Sequence, residues 1–153
     1  MDKEERLIMD FRDLYNKMNW LNKAKMEDRF RGYKSSEIHC IEYIGKHEDP
    51  NVTELAGSFY VTRGAMTKMT KKLIKKGVAE SYRKPDNKKE VYFRLTEQGK
   101  TVSKAHEKLH KEFRERDKAV FAQLTEEQFR GMLEFMETYS RHLDAEIGKQ
   151  NAD

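Results

Sequence analysis

Leu7, Phe11, Leu14, Met18 and Leu21 follow one another at steps of 4, 3, 4 and 3, with polar residues between them. That period places one apolar stripe along a single amphipathic helix from Glu4 to Met26. A comparable stripe, Phe129, Met132, Met136, Tyr139, Leu143 and Ile147, follows Leu124-Thr125-Glu126. Only 37% of the 153 residues are hydrophobic and 38% are charged. Helices of this length therefore have too little protein body to cover them, and pairing with a second chain would stabilise them. The mean hydropathy of −1.00 and the absence of an apolar run near ~18 residues exclude a membrane-spanning helix. Met1–Asp10 lacks a secretory apolar stretch, and the lone Cys40 cannot form an internal disulfide, so a soluble, cytoplasmic protein is expected.

Between the two stripes the pattern shortens. Glu27–Lys34, with Gly32, reads as an exit loop. Ser35 or Ser36 is expected to cap a helix carrying Ile38, Ile41 and Ile44, and Lys46–Asn51 a turn. Thr53 is predicted to cap Glu54–Phe59, and Thr62 a further helix ending at Gly77. Two short helices joined by a tight turn suggest helix-turn-helix. Val78–Lys84 and Glu90–Leu95 are β-compatible and flank the turn sequence Pro85-Asp86-Asn87-Lys88, so a hairpin follows. Thr96 then caps a helix with Val102, Leu109, Phe113 and Val120. The chain is thus mainly α with one small β-hairpin.

The net charge of +4 conceals a division. Residues 62–96 hold eleven Lys or Arg against three acids, a net +8, and the remainder carries −4. On a helical wheel Met66, Met69 and Leu73 share one face of Thr62–Lys76, while Gly64, Lys68, Lys71 and Lys75 share the other, with Thr67 beside them. A basic face that is small near its N-terminus suits a helix entering the major groove. Arg63 and Lys68 have the donors to address guanine, Thr62 and Thr67 could bond phosphate or base, and Gly64 permits close approach. Arg83, Lys84, Lys88 and Lys89 on the hairpin extend the basic surface.

The ordered set Val52-Thr53-Glu54-Leu55-Ala56, Val61-Thr62-Arg63-Gly64-Ala65-Met66-Thr67-Lys68-Met69, Leu73, Lys76-Gly77, the hairpin and Leu95-Thr96-Glu97-Gln98-Gly99 resembles the MarR family of winged helix-turn-helix transcriptional regulators. The resemblance covers essentially the whole chain. It implies one domain over 1–153, with a winged helix-turn-helix lobe at 35–96 and N- and C-terminal dimerisation helices at 4–26 and 97–148. It implies a homodimer, most often a repressor, on a pseudo-palindromic duplex operator, with Thr53 joining the DNA-facing residues. Two positions depart from the family pattern. Phe59-Tyr60 stands where the turn often has Gly or Asn, and Asn87-Lys88-Lys89 stands where the wing usually has Asp-x-Arg.

No cofactor is required by this reading, but an effector is expected. His106 and His110 have the i, i+4 spacing by which a helix offers two imidazoles to one metal. By resemblance to the zinc-responsive members, His39 joins them with a carboxylate near the first helix, for which Glu27 and Asp28 are the candidates, and Glu37 or Cys40 is an alternative fourth ligand. Zn²⁺ suits such ligands, and nickel, copper or iron accept the same types. The competing readings are an aromatic ligand against Trp20, Phe30 and Tyr33, a thiol switch at Cys40, and a non-specific chromosome-binding protein. A metal hydrolase is disfavoured: no HExxH, nucleophile elbow or phosphate loop occurs.

Overall fold

The computed structural model describes residues 1–152 as two compact units, Met1–Phe113 and a second that begins at Arg114. The helices are α1 (Lys3–Arg29), α2 (Ser35–Lys46), α3 (Val52–Phe59), α4 (Arg63–Lys75), α5 (Glu97–Phe121) and α6 (Glu126–Ala152), with β1 (Ala79–Lys84) and β2 (Asn87–Leu95) between α4 and α5.

Several boundaries differ from the sequence expectation for identifiable reasons. Helix α1 runs on to Arg29, and Asp2 caps its start by accepting from the Glu5 amide at 2.7 Å. Helix α2 is not capped by Ser35 or Ser36. Both lie in its first turn, and the Glu37 carboxylate reaches back to accept from the Lys34 amide at 2.9 Å. The cap of α3 is Asn51, which accepts from the Glu54 amide at 2.8 Å, and Thr53 is an exposed residue of the first turn. Thr62 does cap α4, accepting from Ala65 at 3.1 Å, and Gly77 takes the expected left-handed conformation at φ 77°.

The hairpin turn is shorter than predicted, because Lys84 already pairs with Asn87 and only Pro85-Asp86 lie between them. The antiparallel register runs from Ala79↔Leu95 to Tyr82↔Tyr92 and shifts before Lys84, a bulge that twists the wing. The segment before α3 joins the sheet: Asn51 bridges Tyr92, and the Phe93 amide donates to Pro50 O at 3.0 Å.

Ile41, Ile44, Leu55, Met66, Leu73, Val78 and Phe93 form the core of the lobe. Full burial of residues such as Ile41, Leu55 and Leu73 contributes about 2 kcal/mol each. A second cluster, Met26, Phe30, Ile38, Leu109 and Phe113, fastens α1 and α5 to α2. The start of α5 is held by Thr96, whose hydroxyl donates to Gly77 O at 2.6 Å and accepts from the Gly99 amide at 3.1 Å.

Most of the rest of α1 is exposed, including Leu7, Phe11, Leu14, Met18 and Leu21. In the second unit no residue of α6 whose burial is described is buried, and Met132, Met136, Tyr139 and Leu143 stand open. Among the described residues no helix is long and apolar enough to cross a membrane.

Candidate nucleic-acid interface and histidine cluster

Packing orients α4. Met66, Thr70 and Leu73 are buried and Met69 is half-buried, so the opposite side, with Arg63, Gly64, Lys68, Lys71 and Lys75, faces outward. Thr70 was absent from the sequence reading. Its hydroxyl donates to Thr67 O at 3.0 Å, which is how a polar residue is accommodated on the packed side. Thr67 in turn donates to Arg63 O at 2.9 Å and keeps its oxygen as an acceptor, while Thr62 is occupied in capping.

The eleven basic residues of the 62–96 segment divide by partner. Lys76, Lys84 and Arg94 pair with the carboxylates of Glu37, Asp49 and Glu80. Lys84 also lies 4.9 Å from the Tyr92 ring centre, and Tyr82 donates to the same Asp49 carboxylate. These two hydrogen bonds hold the Asp49 carboxyl below its usual range, the Lys84 bond most strongly. Lys84 thus braces the wing against the α2–α3 turn, a role its place in a basic run does not reveal. Arg83 donates to the Lys88 carbonyl across the hairpin. Arg63, Lys68, Lys71, Lys72, Lys75, Lys88 and Lys89 are exposed, and none pairs with a carboxylate among the described residues. They form a cationic surface on one helix and one wing.

Three of the five histidines, His39 on α2 and His106 and His110 on α5, lie close together. His110 Nε2 lies 3.0 Å from His106 Nε2, and the His39 and His106 ring centres are 5.7 Å apart. The carboxylate that meets them is Glu42: ligand atoms of Glu42, His106 and His110 all lie within 4.8 Å of one another. Neither His39 nor Glu27 belongs to that trio; those two line a separate cavity of about 350 Å³ beside Ser35 and Ser36. Glu42 stands one turn beyond His39 on α2, an i, i+3 relation that could have singled it out in the sequence.

His106 is fully buried, and burial is the main cause that lowers its pKa to about 4, against the opposing pull of Glu42. Its ring is therefore neutral near pH 7, the state that ligates metal. Its Nδ1 approaches Glu42 Oε2 to 2.5 Å without hydrogen-bond alignment and has no other partner. Two imidazoles and a carboxylate converging around an unsatisfied nitrogen fit a transition ion such as Zn²⁺. Burial raises the Glu42 pKa, but the Lys46 hydrogen bond and the charges around it win, and the carboxyl is held below its usual value.

Cys40 is buried with its Sγ 3.9 Å from Met66 Sδ, and burial pushes its thiol up to about 12.

Residues 34–91 match the MarR family. The chain is 37% identical over 111 residues to the HTH-type transcriptional regulator PchR of Bacillus subtilis (strain 168), covering 72% of this chain and 66% of that protein. It is 34% identical over 122 residues to the uncharacterized HTH-type transcriptional regulator YhjH of the same organism, covering 73% and 70%. Its fold is similar to that of Streptococcus pneumoniae FabT in complex with DNA, with a TM-score of 0.81, 22% identity, and 94% and 99% of the two chains covered. The two Bacillus subtilis relatives are both named as HTH-type transcriptional regulators. From the winged lobe, the matched segment and the shared identity with YhjH, the chain belongs to the MarR family of winged helix-turn-helix transcriptional regulators.

Proposed function

We propose that the protein is a cytoplasmic, homodimeric repressor that binds a pseudo-palindromic double-stranded operator and releases or engages it in response to an effector. The observation that carries the DNA reading is the outward face of α4, where Arg63, Lys68, Lys71 and Lys75 stand exposed without carboxylate partners beside the wing's Lys88 and Lys89. The likeness to a regulator solved on DNA supports it. The exposed apolar stripes of α1 and of α6 support a second copy as their cover. Sedimentation should give a dimer. Duplexes selected from a random library should bind with an affinity that falls steeply with salt and exceeds that for random DNA by at least ~10³. Salt-dependent binding with no preferred sequence would favour the chromosome-coating alternative.

For the effector, the Glu42–His106–His110 trio favours a transition metal. Zinc titration should show stoichiometric binding that His106→Ala together with His110→Ala abolishes, and the metal should change operator affinity. A metal with equal affinity for both protein states would shift nothing. The aromatic-ligand reading has less support: Trp20 is 76% exposed and Phe30 is in the core, leaving Tyr33 beside a cationic cavity of about 1130 Å³. The buried, poorly acidic Cys40 argues against a thiolate switch.

A further inference from the structure

The turn between α3 and α4 contains a tyrosine in a conformation that glycine normally takes. Tyr60 has φ 54° and ψ 44°. Its amide donates to Gly57 O at 3.4 Å and the Val61 amide donates to Ala56 O at 3.1 Å, the paired bonds of a Schellman motif. An L side chain at that position strains the backbone, and glycine would close the same turn without the penalty.

Packing gives no compensation. Tyr60 is 72% exposed, and neither its ring nor its hydroxyl has a partner among the described residues. It is the first of six consecutive exposed residues, Tyr60–Ala65, that lead into the N-terminal end of α4. Its Cα lies two residues before the Thr62 cap, so the chain separates them by at most about 7 Å. An uncompensated strain beside a working surface is a reason to look for function there.

We propose that Tyr60 is a DNA-backbone contact: its phenolic hydroxyl donates to a phosphate oxygen flanking the groove that α4 enters. The inference rests on the DNA interface proposed above. A phenol bonding phosphate carries no charge, so it adds affinity without adding to counterion release, and a phosphate contact carries no direct sequence information. This assigns Tyr60 a task unlike that of the lysines around it.

The test uses the full-length protein and a fluorescein-labelled 30-bp duplex of random sequence, with anisotropy read across a salt series. Tyr60→Phe should fold like wild type and bind roughly five- to tenfold more weakly. Its salt slope should be unchanged and its loss equal on several duplexes. Tyr60→Gly should lose as much affinity while melting about 2–4 °C higher, because the strain is gone. Tyr60→Phe binding within twofold of wild type overturns the contact, and so does a loss that varies with sequence, which would indicate base reading. A Tyr60→Gly protein that melts lower and binds normally would make the residue structural. If wild type itself ignores the duplex, the DNA interface as a whole fails, an outcome distinct from a silent Tyr60→Phe.

Discussion

Lys76, at the C-terminal cap of α4, places its ammonium 2.7 Å from Oε2 of the buried Glu37 in the first turn of α2. The same ammonium donates to Gly32 O at 2.5 Å and sits 4.7 Å from the Tyr33 ring centre. The other oxygen of Glu37 accepts from the Lys34 amide. The end of α4 is thereby tied to the α1–α2 junction through one charge pair. Lys76→Met should remove the ammonium and leave the carboxylate buried with only an amide partner, a loss of about 3 kcal/mol. Urea unfolding would read it as a lower midpoint with an unchanged slope.

The same pair sets an acid dependence. Burial raises the Glu37 pKa, but the hydrogen bonds from Lys76 and the Lys34 backbone, with the charges of Lys76 and Lys72, overcome it and hold the carboxyl below its ordinary 4.5. Between the two values the unfolded chain binds more protons than the folded one, so stability increases with pH there. Glu37 therefore contributes stability that is fully present above the unfolded value and is lost as pH falls through the folded one. Glu37→Gln should flatten that part of the acid-unfolding curve, while Glu97→Gln, at an exposed surface position, should leave it in place. Thermal melts between pH 3 and 6 would distinguish them.

Gly99 is fixed by space, not by backbone angle. A Cβ built there would lie 1.9 Å from the Val78 carbonyl oxygen and 3.2 Å from Leu95 Cβ. Backbone atoms cannot yield as a flexible side chain would, so α5 would have to lift from the end of the hairpin and break the Thr96 bonds to Gly77 and Gly99. Gly99→Ala should cost more than about 3 kcal/mol, in the range of severe overpacking. Gly57→Ala, where an added Cβ meets nothing, should be neutral or slightly stabilising. Paired thermal melts of the two variants test the contrast.

Elements set by local chemistry were legible in the sequence. Period-3.6 stripes located the helices, and Thr62, Gly77 and Thr96 marked ends where they stand. The two errors of capping at α2 and α3 have separate local causes: the Glu37 carboxylate binds the Lys34 amide and sets the start of α2 before the serines, and Asn51, two residues before Thr53, caps α3 through the Glu54 amide. The outward face of α4 could be read because burial of Met66 and Leu73 dictates it. Spacing on α2 sets Glu42 one turn from His39 but does not rank it above the other acids as the partner of His106. Which acid faces His106 depends on how α2 and α5 pack, and Glu42 meets it only through that tertiary arrangement. The same applies to Asp49, whose partnership with Lys84 spans 35 residues.

That partnership separates lysines the sequence had treated alike. Lys84 is neutralised by Asp49 and held against Tyr92, whereas Lys89 is exposed on the wing without a carboxylate partner among the described residues. Each phosphate-neutralising cation contributes about 0.9 to the slope of log K against log salt for B-DNA. Lys89→Ala should therefore lower the slope by about 1 per protomer bound and leave the melting temperature unchanged. Lys84→Ala should leave the slope close to wild type but loosen the wing, seen as faster amide exchange along β1 and β2. Anisotropy titrations over a salt series, paired with hydrogen exchange, decide the matter. Equal slope losses for both variants would place Lys84 on the phosphates and dissolve its role as a brace.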